Sequence, residues 1–459
     1  MNILILGAGQ VGRTVARSLA REKSNNVTVV DTREEKLDII KDKLDIRIIT
    51  GHASYPETLE RAGAKDADIL IALTESDELN IVACEVAHAL FDKVSGNKTK
   101  KIARIRSSQY YSANLFSDNL MAVDLVINPE EIITNHIAEI IKLPGALEVL
   151  EFANGKVKMV AAKARTGGAL VGQPVSELPS HMQGIESRVV AIYKKGKGIV
   201  PQGSTIISSG DEVFFIAAQE DIPSVLKEVR KPEVPIKRIV IAGGGNIGER
   251  LARLLESTHN VKIIDKSLDT AKKLSETLNT AVVIHGDAAD EELLLEEQIE
   301  KTDIFIAITD ADEVNILSSM LAKKLGAKKV IALISKPAYS DLLMDSDIFD
   351  ITISPLQVML GVLLQQVRKG DVVKVHSLRK GNAEAIEAIA HGNSSTSAVV
   401  GKMIDDIKLP EGATISAIVR DDTVLMAHHD TIIRENDHVI LFISQKEHIA
   451  DVEKLFELK

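Results

Sequence analysis

The 459-residue chain contains one cysteine, Cys84, and no tryptophan. A single thiol excludes a disulfide framework within the chain and fits a reducing compartment. Cys84 lies in the apolar-rich stretch 81–90 and reads as core filler rather than a nucleophile. Positive charge is also in short supply. The 55 Lys and Arg face 66 Asp and Glu, and the formal net charge of −11 excludes a general affinity for nucleic acid or anionic lipid. Long apolar runs are missing too. The longest stretch without a charged residue, Ile351 to Val367, has 17 residues and includes Pro355, Gln357, Gln365 and Gln366. It is too short and too polar for a spanning helix, so any membrane role is expected to be peripheral. Met1 enters an apolar run directly, and no secretory leader is expected. His428, His429 and His438 have no cysteine near them and resemble hairpin residues, so no metal site is expected.

What is present is ordinary globular material, 45% hydrophobic and 26% charged, enough for about three or four domains. The stretch that organises it is Met1 to Asp31. A short apolar run, Ile3 to Leu6, ends on Gly7-Ala8-Gly9-Gln10-Val11-Gly12. Val11, Val15, Ala16 and Leu19 follow at helical spacing, and a second apolar run, Val27 to Val30, stops on Asp31. Strand, glycine turn, helix, strand and acid together form the context of a dinucleotide fingerprint. Gly7 permits the tight turn, Gly9 lets the backbone approach a pyrophosphate, and Gly12 lets the helix pack close to the sheet. The free N–H groups and positive dipole end of that helix suit phosphates. Asp31 suits ribose hydroxyls and disfavours a 2′-phosphate, so NAD is expected over NADP.

The pattern then recurs. Gly243-Gly244-Gly245-Asn246-Ile247-Gly248 and Asp265 stand 234 to 236 positions after their first-half counterparts. Other elements follow in step. Thr74-Glu75 through Asn80 is answered by Thr309-Asp310 through Asn315, and Gly51-His52-Ala53 by Gly286-Asp287-Ala288. Arg104 and Arg106 alternate in a predicted strand at 101–106, which would point both to one face. They are candidates for phosphate or interface contacts. Leu333 and Ser335 replace them in the second half, with Lys336 just beyond, and His52 replaces the acid at Asp287. The two sites are therefore expected to differ. The candidate cofactor-binding positions are Gly7, Ala8, Gly9, Gln10, Val11, Gly12, Asp31, Thr74, Glu75 and Arg104, then Gly243, Gly244, Gly245, Asn246, Ile247, Gly248, Asp265, Asp287, Thr309 and Asp310.

Between the two fingerprints, residues 145–230 change to short strands with turn signals at Asn154-Gly155, Gly167-Gly168, Gly196-Lys197-Gly198 and Ser209-Gly210-Asp211. Lys231 to Pro235 reads as a proline-bearing linker. The expected fold is α/β, with two Rossmann-like doubly wound parallel-sheet domains at 1–124 and 235–351. Each precedes a small α+β domain, at 145–230 and 371–456. Asn128-Pro129 opens a helix whose Ile133, Ile137, Ile140 and Ile141 form one stripe, equally suited to its own sheet or to a neighbour.

A catalytic set is not evident. A dehydrogenase couples one dinucleotide fold to a substrate domain with an acid or base beside the nicotinamide. Here a binder and a small module are duplicated, an arrangement suited to sensing rather than turnover.

GAGQVGRTVA with VVD, the Thr74–Asn80 and Thr309–Asn315 segments, ARIR, GGGNIGERLA and PQGST with GDEVFFIA together resemble the tandem RCK (KTN) family of regulatory subunits in bacterial Trk potassium uptake. The resemblance covers essentially the whole chain. It implies RCK N-terminal domains for the large units and RCK C-terminal domains for the small ones. It further implies binding of NAD(H) and of ATP or ADP, no enzymatic activity, and a homo-tetrameric ring. That ring would lie on the cytoplasmic side, peripheral to an integral-membrane potassium channel subunit of the Trk type. The alternatives are an NAD-dependent oxidoreductase and a regulator of another cation transporter.

Overall fold

The computed structural model describes residues 1–459 other than 23, 93–98, 108, 111–113, 117–119, 195–196, 344–347, 369–370, 379–382 and 459. Gly196, in one of the expected turns, lies outside the described residues. The chain forms two compact units, Met1–Ile132 and Ile133–Lys459.

In the first unit the apolar runs become strands β1 (Asn2–Leu6), β2 (Asn26–Asp31), β3 (Arg47–Thr50), β4 (Ile69–Ala72), β5 (Lys100–Arg104) and β6 (Leu125–Ile127). They form a sheet of order β3-β2-β1-β4-β5-β6, with every pair parallel. Ile3, Leu4, Ile5 and Leu6 are all buried, as are Ile69 to Ala72. Burial on both faces is why these strands read as continuous apolar runs rather than alternating ones. The sheet order reverses between β1 and β4, which opens a crevice at their carboxyl ends. Cys84 is fully buried, and burial pushes its thiol up to about 12 despite the nearby Lys101 charge. It is an inert core residue.

Arg104 and Arg106 do not share a strand. The ladder continues once more, Ile105 N–H donating to Ile127 O at 2.9 Å, and then stops. The Asp77 carboxylate takes the N–H groups of Arg106 and Ser107 at 3.0 and 2.8 Å, which turns the chain out of the sheet. Arg104 is therefore half-buried and Arg106 exposed.

The second unit holds three sheets. The first contains β7 (Ala146–Phe152), β8 (Val157–Lys163), β9 (Ser187–Lys194), β10 (Lys197–Ile199) and β11 (Glu212–Ala218), antiparallel in the order β10-β9-β11-β8-β7. The second is parallel: β12 (Arg238–Ala242), β13 (Asn260–Asp265), β14 (Val282–His285), β15 (Ile304–Ala307), β16 (Lys329–Leu333) and β17 (Ile351–Ile353), in the order β14-β13-β12-β15-β16-β17. The third contains β18 (Val372–Leu378), β19 (Ala383–Ile389), β20 (Ala413–Arg420), β21 (Thr423–Met426) and β22 (His438–Ile443), in the order β18-β19-β22-β20-β21. Strand for strand, each sheet type repeats its own topology.

The stripe on helix Pro129–Lys142 finds a neighbour. Ile133, Ile137, Ile140 and Ile141 join a cluster with Val149, Val160, Val189 and Phe215 of the small sheet. In the second half, helix Pro355–Val367 packs on β18. Gly361 permits that approach, since a Cβ there would stand 3.0 Å from Val375 O.

The two small sheets also pack on one another. Along β8, Val160 and Ala162 face the helix cluster, while Val157, Met159 and Ala161 face β19 to β22 with Ala385, Ile440 and Phe442. Phe214 and Phe442 meet at 6.4 Å between ring centroids. Buried polar groups pin this interface. Ala153 N–H donates to Glu387 at 2.8 Å, and Arg188 donates to the carbonyls of Ala427 and Ile415 at 2.6 and 3.2 Å.

Candidate functional site

In the first unit, β1 ends directly on the glycine turn. Gly7 has φ +108°, a left-handed conformation that favours glycine, and its N–H donates to Val30 O at 2.7 Å. A Cβ on Gly7 would lie 3.0 Å from the Leu73 carbonyl and 3.1 Å from Thr74 N, so the turn sits against the end of β4. A Cβ on Gly12 would lie 1.8 Å from Gly7 O. The third glycine is what allows the helix to start under the loop. That helix, Gln10–Leu19, has no side-chain cap at Gly9 and no acid in its first turn. Its positive dipole end is thus not neutralised by the protein at that point.

Asp31 sits at the end of β2 and grips the loop. Its two carboxylate oxygens accept N–H bonds from Ala8 at 2.7 Å and Arg33 at 2.9 Å. Each oxygen keeps a further lone pair, so the fixed carboxylate can still accept from a hydroxyl.

A residue absent from the sequence-based set proves central. Asn80 is fully buried. Its Oδ1 accepts from Thr74 N and Thr74 Oγ1 at 2.9 and 2.7 Å. Its Nδ2 donates to Arg104 O at 2.8 Å and to Thr74 O at 3.3 Å. One amide therefore ties the end of β4 to the end of β5. Ser76 supplies the helix cap, accepting from Leu79 N at 3.1 Å. Asn80 was readable in principle, because an Asn six residues after a Thr occurs in both halves.

Around this frame Glu75 is exposed and lies within 3.7 Å of Arg33 and 3.6 Å of Lys36. Arg104 carries a buried Nε with no hydrogen-bond partner. Burial, then the Arg106 charge, push its guanidinium below its ordinary value, while Glu130, Asp77 and Glu75 oppose.

The second crevice is built alike. Gly243 has φ +112°, and a Cβ there would lie 2.9 Å from Ile308 O. A Cβ on Gly248 would lie 1.9 Å from Gly243 O. Asp265 accepts from Gly244 N at 2.6 Å and Ser267 N at 2.8 Å. Asn315 joins Thr309 to Leu333 O at 2.9 Å, as Asn80 does for Thr74 and Arg104.

Four differences separate the copies, the first being Glu249 in the first turn of helix Asn246–Leu255, where helix Gln10–Leu19 has no acid. Leu333 is buried where Arg104 stands in the first, and Lys336 is engaged with Glu313 at 2.6 Å. Asp287 accepts from Ala289 N at 2.9 Å and pairs with Lys266 at 3.1 Å, and these contacts lower its carboxyl below the usual range. In the first copy His52 instead hydrogen-bonds Ser54 and stacks on Tyr55. Gly244 replaces Ala8, and a Cβ on Gly244 would come within 2.5 Å of Leu274 Cδ1.

The chain matches the TrkA-N domain family over residues 3–129 and 239–355, and the TrkA-C domain family over 159–230 and 394–457. It is 52% identical to the Trk system potassium uptake protein TrkA of Halomonas elongata over 459 residues, which cover 100% of this chain and 99% of that protein. Identity to the protein of the same name from Vibrio alginolyticus is 50%, with the same coverage of both chains. Among solved structures, the GsuK channel bound to NAD aligns at a TM-score of 0.61 and 19% identity, over 99% of this chain and 78% of that one. That likeness is one of fold.

Proposed function

The chain belongs to the TrkA family of Trk-system potassium uptake proteins, and from that premise we propose that it is a nucleotide-responsive regulatory subunit acting on a separate membrane potassium channel. The observation that carries the nucleotide part is the duplicated crevice. In each copy an uncapped helix N-terminus, a glycine turn and a carboxylate fixed by loop N–H groups converge at a sheet switch point. NAD(H), ATP and ADP share the diphosphate and ribose that this arrangement suits. Gly7 to Gly12, Asp31, Thr74, Glu75 and Arg104 would line the first site. Gly243 to Gly248, Asp265, Asp287, Thr309 and Asp310 would line the second.

Among the described residues no helix is long and apolar enough to cross a membrane. The proposal places the chain on the cytoplasmic face, in a homo-tetrameric ring whose shape the bound nucleotide selects. Surfaces that would serve such pairing include exposed Leu317 and Met320 on helix Asp312–Lys324, where Met320, Leu321 and Ile348, with Lys323 and Lys324, line a shallow open hollow. Preference of ATP or ADP for one ring shape would amount to about 1–3 kcal/mol, the usual scale of allosteric coupling. Potassium flux through the reconstituted channel should then depend both on this protein and on which nucleotide is supplied. Flux indifferent to both would remove the regulatory reading.

The asymmetry of the two sites makes a separate prediction. Asp31→Ala and Asp265→Ala should each weaken nucleotide binding at their own site by about 1–3 kcal/mol, through the unpaired polar groups they leave. Arg104→Ala should weaken binding of ATP or NADH at the first site alone. Calorimetry on the single-site variants measures both, and equal losses at the two sites for Arg104→Ala would contradict the assignment.

A further inference from the structure

One position of the repeat carries different hydrogen-bonding chemistry in the two crevices. In the first, Asp31 at the end of β2 pairs with Thr50 of β3, and Gly51 N–H donates to Asp31 O at 3.0 Å. His52 is the next residue. In the second, Asp265 pairs with His285 of β14, Gly286 N–H donates to Asp265 O at 2.9 Å, and Asp287 is the next residue. A nucleotide with its diphosphate on the glycine turn and its ribose on the β2 or β13 carboxylate has its base beyond that carboxylate, toward the end of β3 or β14. His52 and Asp287 stand there, and both are only half-buried.

Asp287 is an acceptor alone. Its Oδ1 takes Ala289 N–H at 2.9 Å and its Oδ2 takes Lys266 Nζ at 3.1 Å, contacts that favour the ionised form. Each oxygen keeps a lone pair for one more donor, and the carboxylate has no proton to give. His52 has either role open to it. Its Nδ1 lies 3.1 Å from Ser54 Oγ, and a serine hydroxyl donates or accepts by rotation. The proton can therefore stand on Nδ1 or on Nε2, and Nε2 accepts in the first case and donates in the second. Stacking on Tyr55, at 4.4 Å between ring centroids, holds the imidazole in place. In the second copy Ala289 and Asp290 replace Ser54 and Tyr55, so neither the hydroxyl nor the stack is repeated.

We propose that His52 and Asp287 set the base preference of the two crevices, the second selecting adenine and the first accepting adenine and the oxo-purines alike. This selectivity presupposes that both crevices take nucleotides, as proposed above. The exocyclic amine is the only N–H group of the adenine base in a nucleotide, and so the only donor it can offer Asp287. An oxo-purine held by the same ribose and diphosphate contacts turns a carbonyl oxygen toward the carboxylate, and two acceptors repel. At His52 the ring accepts from the amine or donates to the carbonyl, and the Ser54 hydroxyl turns to match. A site built around one hydrogen-bond polarity leaves its own polar group unpaired when the opposite one enters, which is the strongest ground for rejection.

The test is calorimetry on the full chain with ADP, inosine diphosphate and purine riboside diphosphate, which carry an amine, a carbonyl and a bare hydrogen at the same ring carbon. Asp31→Ala weakens the first crevice and leaves the second to be read, and Asp265→Ala does the reverse. The second crevice should bind ADP at least about tenfold more tightly than either analogue, the usual scale for a hydrogen bond to a charged group. The first should bind ADP and inosine diphosphate within about threefold of each other. Asp287→Asn keeps the shape and adds a donor, and should bring the second crevice's ratio for that pair to within about threefold. His52→Asp should impose the preference for ADP on the first. Equal ratios at the two crevices, a ratio that survives Asp287→Asn, or a first crevice indifferent to His52→Asp would overturn the base assignment, and ADP binding in the same titrations would keep the nucleotide reading standing. Failure of ADP to bind at either crevice would remove both.

Discussion

Gly12→Ala should cost the first unit about 3 kcal/mol or more of stability. Gly9→Ala should leave its melting almost unchanged and weaken nucleotide binding by about tenfold or more, equivalent to roughly 1.4 kcal/mol. A methyl group at position 12 would fall 1.8 Å from Gly7 O. That atom is main chain, and its loop is held by Gly7 N–H to Val30 O and Ala8 N–H to Asp31. No side-chain tip is available to swing aside, so either the helix or the loop must leave its place. At Gly9 the backbone has φ −65° and ψ −176°, which alanine adopts readily, and a Cβ would meet no protein atom within 4 Å. The protein itself gives no reason for a glycine there, whereas a closely approaching phosphate would. Gly248→Ala and Gly245→Ala repeat the contrast in the second unit, where the corresponding Gly248 distance is 1.9 Å. Thermal melts followed by calorimetry with NADH and ATP separate the two effects. Wild-type affinity in Gly9→Ala would show that no phosphate approaches that loop.

Asn80→Ala and Asn315→Ala should each destabilise their own crevice by about 2–4 kcal/mol, among the larger single-residue effects. Each removes an amide that satisfies four backbone and hydroxyl groups at the ends of two strands. Alanine leaves the Thr74 N–H and the Arg104 carbonyl buried without these partners. Asn80→Asp should be no better, since it loses the Nδ2 donor and places a charge at a fully buried position. The expected signature is a lower urea midpoint together with weaker nucleotide binding at the altered site, because the Thr74 loop and the Arg104 strand end lose their common tie. Unaltered stability in either alanine variant would mean that water replaces the amide without penalty.

How far the chain could be read beforehand follows from which forces leave a mark on residue identity. The glycine turns were legible because left-handed φ at Gly7 and Gly243 and close approach at Gly12 and Gly248 exclude other residues. The parallel strands were legible because burial on both faces demands unbroken apolar runs. Asn80 and Asn315 were hidden inside segments that look like ordinary helix caps, and the capping is indeed real at Ser76. Their second role depends on a strand end 24 residues away for Asn80 and 18 for Asn315. Local pattern does not report such partners. The same limit explains Arg106. Nothing local to ARIR says that Asp77, far back in the chain, will take the N–H groups that would have continued the strand. The pairing of the small sheets had a signal that passed unused. Strands β8 and β11 are apolar at nearly every position, unusual for an antiparallel sheet with one solvated face.

That pairing has a thermodynamic consequence. Because both small sheets belong to one polypeptide, their association is a first-order process, and dilution cannot separate them as it would separate two chains. Nor must the joint look the same from both sides, as a twofold interface between identical copies must. Glu387 reaches across to Ala153, and Arg188 reaches back to Ile415 and Ala427. At the repeat-equivalent positions stand Ala161 and Thr414, which offer neither charge. The opposing strand-to-helix ion pairs also differ in polarity, Lys158 with Glu139 in one half and Glu384 with Arg368 in the other. Tethering thus relieves each half of having to be its own complement, and lets a single chain carry a lopsided joint whose two sides can be altered one at a time.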